Sequence, residues 1–150
     1  MRVLPPGTVP MRLLKIVVFA ALLGLAGCAS MGTQTKGNGL DKAQYAWSGA
    51  IRWGDFEGAV NLIDPVLRGK APPTDVEMER YKQVQVSAYR DVGATSDLAG
   101  GTATRDIEIG VINRHTQAER SVRYREQWRW DPQAKTWWLT TSLPDLWAGQ

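Results

Sequence analysis

The sequence predicts an α+β fold, with N-terminal helices packed on a curved antiparallel sheet of about four strands. Two observations carry this. Between Leu40 and Leu67, apolar residues recur three and four apart, the spacing of one helix face. After Tyr81 the period changes to two and stays so to Ser142, in runs divided by short turn signals. Helices first and strands afterwards segregate the elements, and short connections favour an antiparallel meander.

Taken in order, Leu40, Ala43, Trp47, Ala50 and Ile51 form the first stripe, with Asp41 as the expected N-cap. Gly54 breaks the pattern and Asp55 restarts it. Phe56, Ala59, Val60, Ile63 and Leu67 form the second stripe, which Pro65 limits or kinks. Ala71-Pro72-Pro73-Thr74 reads as a loop, with Thr74 or Asp75 capping a short turn to Arg80. Val84, Val86 and Ala88 alternate with polar neighbours as the first strand. Residues 91–101, rich in Gly and Asp, read as a loop. Ile107, Ile109 and Val111 define the second strand. Val122, Tyr124, Glu126, Trp128 and Trp130 share one face of the third, and Ser121, Arg123, Arg125, Gln127 and Arg129 the other. Asp131 to Lys135 forms a turn, and Thr136 to Ser142 returns as the last strand.

Ahead of this domain, Arg12 and Lys15 precede an apolar run, Ile16 to Leu25, that is too short to span a bilayer, which takes about 20 residues. The run ends in Leu25-Ala26-Gly27-Cys28. This motif resembles a bacterial lipobox. The resemblance implies a signal peptide over 1–27, acyl chains such as palmitate on Cys28, and a tether over 28–39. A single domain follows over 40–150. Met11 opens a more conventional signal than Met1 does. Ala29 after the cysteine, where a retained protein has Asp, implies the outer membrane with the domain facing the periplasm. Cys28 is the only cysteine, so lipidation there leaves no thiol for a disulfide, metal or nucleophile.

The signal also removes the charge. Of 18 basic residues, Arg2, Arg12 and Lys15 lie before Cys28 and no acidic residue does, so the remainder balances its 15 acidic residues. That excludes nucleic acid as an expected partner.

The junction Gly54-Asp55-Phe56-Glu57, the strand Tyr124-Arg125-Glu126-Gln127-Trp128 and the hairpin from Trp130-Asp131 to Thr136-Trp137-Trp138 resemble the NTF2-like, or cystatin-like, α+β cone family over residues 41–143. The resemblance implies a cone between helices and sheet. The family's activities are diverse, from isomerases and dehydratases to secretion-system scaffolds. One copy of a helix pair similar to a tetratricopeptide unit cannot build a solenoid.

Glu126 shares its strand face with Tyr124 and the tryptophans. A carboxylate pointing into an apolar cone gains affinity for its proton and suits acid–base work, with Tyr124 beside it. The alternative is an ion pair with an arginine. His115, the only histidine, lies in a polar turn with no partner expected. Arg123, Arg125 and Arg129 offer an anionic-partner surface or a solvated face with cross-strand pairs. Trp128, Trp130, Trp137 and Trp138 are the candidate ligand or partner contacts. Trp137 and Trp138 are adjacent on a strand and face opposite ways, and the tail 143–147 is placed to cover one of them. No metal-ligand cluster or phosphate-cradling loop is present, so neither metal nor cofactor is expected. The expected role is a membrane-anchored, non-catalytic module for an envelope protein or a small apolar ligand. The alternatives are a small-molecule isomerase or dehydratase and an envelope assembly subunit. The oligomeric state stays open, a homodimer included.

Overall fold

Turn residues in the sequence become helix caps in the computed structural model, which describes residues 11–148, with side chains from residue 32 onward. The chain divides into two units, Met1–Thr35 and Lys36–Gln150. The described part of the first is helical backbone.

Helix α1 spans Met11–Trp53, so Asp41 caps nothing and residues 28–39, expected as an irregular tether, are helical. Two physical reasons account for this. Extending an existing helix is far cheaper than nucleating one. In addition, Gly39 serves close approach: a Cβ there would lie 3.4 Å from the Trp137 ring and 3.6 Å from that of Trp130. The Trp137 indole donates to the Lys36 carbonyl at 2.8 Å. The predicted stripe is the buried one, with Leu40, Trp47 and Ile51 in the core. Gly54 ends the helix at φ +73°, and the Asp55 amide reaches back to the Ala50 carbonyl at 2.9 Å, a turn that favours glycine.

The second stripe is two helices. Helix α2 (Phe56–Val60) is capped by Asp55, whose carboxylate accepts from the Gly58 amide at 2.8 Å. Helix α3 (Pro65–Lys70) starts on its proline, with Asp64 as N-cap. Pro65 therefore begins a helix and does not kink one, as suits a residue that lacks an amide hydrogen. Between them Ile63 bridges Leu139, tying the helical layer to the sheet. Helix α4 (Asp75–Tyr81) opens with a reciprocal capping box between Thr74 and Glu77.

The four strands are β1 (Val84–Asp97), β2 (Thr102–Asn113), β3 (Glu119–Asp131) and β4 (Thr136–Leu139). They pair antiparallel in the order β1-β2-β3-β4. The expected loop at 91–101 is mostly strand. Residues through Asp97 pair with β2, and two bulges in β1 keep its polar outer half in register. The first bulge changes the alternation, so Tyr89 and not Ala88 is buried on the inner face. Strand β4 is shorter than expected and ends at Leu139, because Thr141 and Ser142 turn to meet Tyr124.

Candidate functional site

The strand alternation places Glu126 where the sequence put it, on the inner sheet face with no exposed surface. It does not face an empty cone. Register sets Arg105 of β2 directly opposite. The Arg105 Nε donates to Glu126 Oε2 and Nη2 donates to Oε1, both at 2.9 Å. The Trp128 indole donates to Oε2 at 2.9 Å. The Tyr89 hydroxyl donates to Oε1. Each carboxylate oxygen thus accepts two hydrogen bonds, and the ion-pair alternative is the one realised.

The surroundings fix the charge states. Burial pushes the Tyr89 phenol well above its ordinary value, and the Glu126 charge adds to the shift, so Tyr89 stays a donor. Burial disfavours the Arg105 cation, but the hydrogen bond and charge of Glu126 outweigh it and the guanidinium is held more firmly protonated. With four donors around it and no exposed surface, Glu126 is fully engaged as a hydrogen-bond acceptor. Its partners order the core, since removing one leaves a buried charge exposed to none.

Tyr124, the proposed companion, is turned away. Its hydroxyl pairs with Thr141 Oγ1 at 2.9 Å and donates to the Ser142 carbonyl at 2.8 Å. Burial raises its pKa, against the Thr141 hydrogen bond. Trp47 stacks on Tyr124 at 6.3 Å between ring centroids and meets Trp128 edge-on at 6.4 Å. Aromatic rings therefore occupy the space between α1 and the sheet.

The tryptophan contacts need correction. Trp128 and Trp137 are buried and offer no partner surface. Trp130 is half-buried against Trp137, with ring centroids 5.7 Å apart. Trp138 does face the other way, pairing with Arg129 in register. The tail covers Tyr81: the Tyr81 hydroxyl donates to the Pro144 carbonyl at 2.9 Å, and Trp147 meets the Tyr81 ring at 5.0 Å. Burial, helped by Asp145, pushes the Tyr81 phenol up to about 12.

The outer arginines are largely engaged. Arg125 pairs with Asp106 at 2.6 Å and Arg129 with Asp64 at 2.6 Å, so the anionic-partner face is a set of cross-element pairs. Arg123 remains solvent-exposed. His115 lies in the exposed β2–β3 turn. The Cys28 side chain lies outside the described residues. Among the described residues, no three His, Cys, Asp or Glu gather as a metal site, and no helix is long and apolar enough to cross a membrane.

Open spaces lie elsewhere on the described surface. A groove of about 430 Å³ is lined by Val60, Ile63, Leu67, Tyr81, Leu143 and Trp147, with Arg68 and Arg80 among its polar residues. A second, of about 380 Å³, lies between the outer side of α1 and Arg105. Arg105, which the sequence groups with the nearby surface arginines, is instead buried, in phase with Ile107 and Ile109. An arginine on an apolar stripe was the available signal.

No protein-family profile matches the sequence, and neither does any curated protein sequence. Solved structures do resemble it. A SEC-C motif containing protein from Rhodopseudomonas palustris shares 20% identity over 63% of this chain and 69% of its own, with a TM-score of 0.51. One from Psychrobacter arcticus shares 10% over 61% and 52%, at 0.49. An NTF2-like family protein from Streptomyces avermitilis shares 18% over 71% and 92%, at 0.46. The likeness to the Rhodopseudomonas protein is one of fold alone; the fold of this chain is α+β, with helices followed by a four-stranded antiparallel sheet.

Proposed function

We propose that this protein is a bacterial lipoprotein, held at the outer membrane by acyl chains on Cys28 and facing the periplasm. Its NTF2-like domain is a non-catalytic module that binds a small apolar ligand. The groove between α2, α3, α4 and the tail carries this reading. It is walled by aliphatic and aromatic side chains and is large enough for a small molecule. The buried carboxylate lies elsewhere, fully bonded. Within the groove, Glu77 is committed to Thr74 and Asp145 to the Trp147 amide. Arg68 and Arg80 leave the polar side of the groove suited to a ligand with an acidic end.

Two measurements test it. Labelled palmitate enters the wild-type chain in bacterial cells and not a Cys28→Ser variant; equal labelling of both refutes the anchor. Dodecanoate quenches or shifts tryptophan emission saturably. Leu143→Trp, which fills the groove, weakens that binding about tenfold, ~1.4 kcal/mol. Unchanged binding refutes the groove.

A further inference from the structure

The outer side of α1 carries a different chemistry. Tyr45 and Trp53 are 82% and 88% exposed, an unusual state for two large aromatic residues on one helix. They lie eight residues apart, about 12 Å along the axis and within about 80° around it. Gly49 stands midway, and a Cβ added there would touch nothing. The result is a notch between two aromatic walls, continuous with a space of about 380 Å³.

The remainder of that space is polar. Asp41, Gln44, Ser48 and Arg52 line it from α1, and Asp91 and Arg105 from the sheet. The Asp41 carboxylate and the Gln44 carboxamide make no hydrogen bond within the described residues. Arg105 forms an ordered floor: Glu126 grips two of its nitrogens, and the third, Nη1, points to Asp91 at 3.5 Å. Arg52 is steadied by donating to the Tyr89 carbonyl at 3.0 Å and lying over its ring. The groups are therefore largely positioned in advance, which lowers the cost of binding.

We infer that this notch is a binding site for an oligosaccharide. A pyranose ring has an apolar C–H face and a rim of hydroxyls. The C–H face, slightly positive, suits the negative face of an indole or phenol ring. The hydroxyls need donors and acceptors side by side, and here Arg52, Arg105 and Gln44 supply donors while Asp41, Asp91 and Gln44 supply acceptors. Two arginines meet Asp41, Asp91 and the Glu126 that already holds Arg105, so a simple anion meets more repulsion than attraction. A purely apolar ligand would strand the polar floor. The separation of the aromatic walls matches a short run of sugar rings better than one ring. This site is separate from the apolar groove and independent of lipidation at Cys28.

The test uses full-length protein in detergent, titrated with chitotetraose, cellotetraose and maltotetraose, followed by tryptophan emission and calorimetry. At least one binds saturably, with a Kd of about 1 mM or tighter. Trp53→Ala weakens it about tenfold, ~1.4 kcal/mol, and Tyr45→Ala weakens it less. Gly49→Leu, which fills the notch, abolishes it. All three substitutions are on open surface, and an unchanged melting temperature certifies the fold. Failure of all three sugars to bind overturns the site. So does binding that survives both Trp53→Ala and Gly49→Leu, or vesicles engaging Trp53 where no sugar does. Loss of dodecanoate binding bears only on the apolar groove.

Discussion

Trp47 and Trp53 stand six residues apart on α1, at 0% and 88% exposure. Six residues rotate the helix by about 120° from where it started, enough to move a side chain from the core to water. On the inner side, Trp47 is enclosed by Tyr124 and Trp128, above a carboxylate with four donors. On the outer side, Trp53 and Tyr45 border polar groups with hydrogen-bonding capacity to spare. Arg105 touches both regions, one edge locked by Glu126 and the other facing the notch. Saturated polar groups hold a fold together, and unsaturated ones are free to recognise something. The same residue types serve both ends because their neighbours differ.

The strongest way to break the inner region is to remove Glu126. Glu126→Leu leaves the buried Arg105 cation with only the exposed Asp91, 3.5 Å from Nη1, as counter-charge and should cost about 3 kcal/mol, read as a lower urea midpoint. Glu126→Gln keeps the shape and part of the hydrogen bonding and costs less. Glu126→Leu combined with Arg105→Leu removes both charges and recovers most of the loss. A double variant no more stable than Glu126→Leu alone would show that shape, and not the stranded charge, sets the cost.

Much of this contrast is readable in the sequence. The 3.6-residue stripe separates Trp47 from Trp53, and strand alternation puts Glu126 indoors. The hidden part is what crosses between strands. Arg105 and Glu126 are 21 residues apart and meet only through the β2–β3 register, while Tyr89 joins them because a bulge turns it inward. The same limit explains the loop predicted at 91–101. Its glycine and polar residues lack an apolar alternation because that half of β1 is exposed, and pairing with β2 makes it a strand. At 28–39 composition misleads in another way, since Gly39 is there for the contact with Trp137 and Trp130.

Truncating the two indoles sharpens the comparison directly. Trp47→Ala opens a cavity between Tyr124 and Trp128 and should cost about 3 kcal/mol. Trp53→Ala should change stability by less than about 0.5 kcal/mol. Chemical denaturation of both variants gives the ratio. Acrylamide quenching should lose its most accessible component with Trp53 and keep it with Trp47→Ala. Comparable destabilisation by both would mean that Trp53 has a structural role its exposure conceals.

The smallest effect tests whether a pair at the margin behaves like the inner carboxylate. Asp64 is buried and meets Arg129, which is nearly half-exposed, at 2.6 Å, and it accepts the Val66 amide as the cap of α3. Burial alone would raise its pKa. The hydrogen bonds from Arg129 and Val66, with the Arg129 charge, reverse that and leave it lowered. A carboxylate with a lowered folded pKa stabilises the protein above its unfolded pKa, near 3.9. That contribution disappears as the pH falls through the lower folded value. Asp64→Asn should therefore cost about 1 kcal/mol at pH 7, an amount set by the cap and a solvent-screened pair. The gap to wild type should hold at pH 5 and narrow toward pH 3. Melting curves at these pH values decide it. A gap independent of pH would assign the stabilisation to the hydrogen bonds of the cap and leave the charge of Asp64 with no share in it.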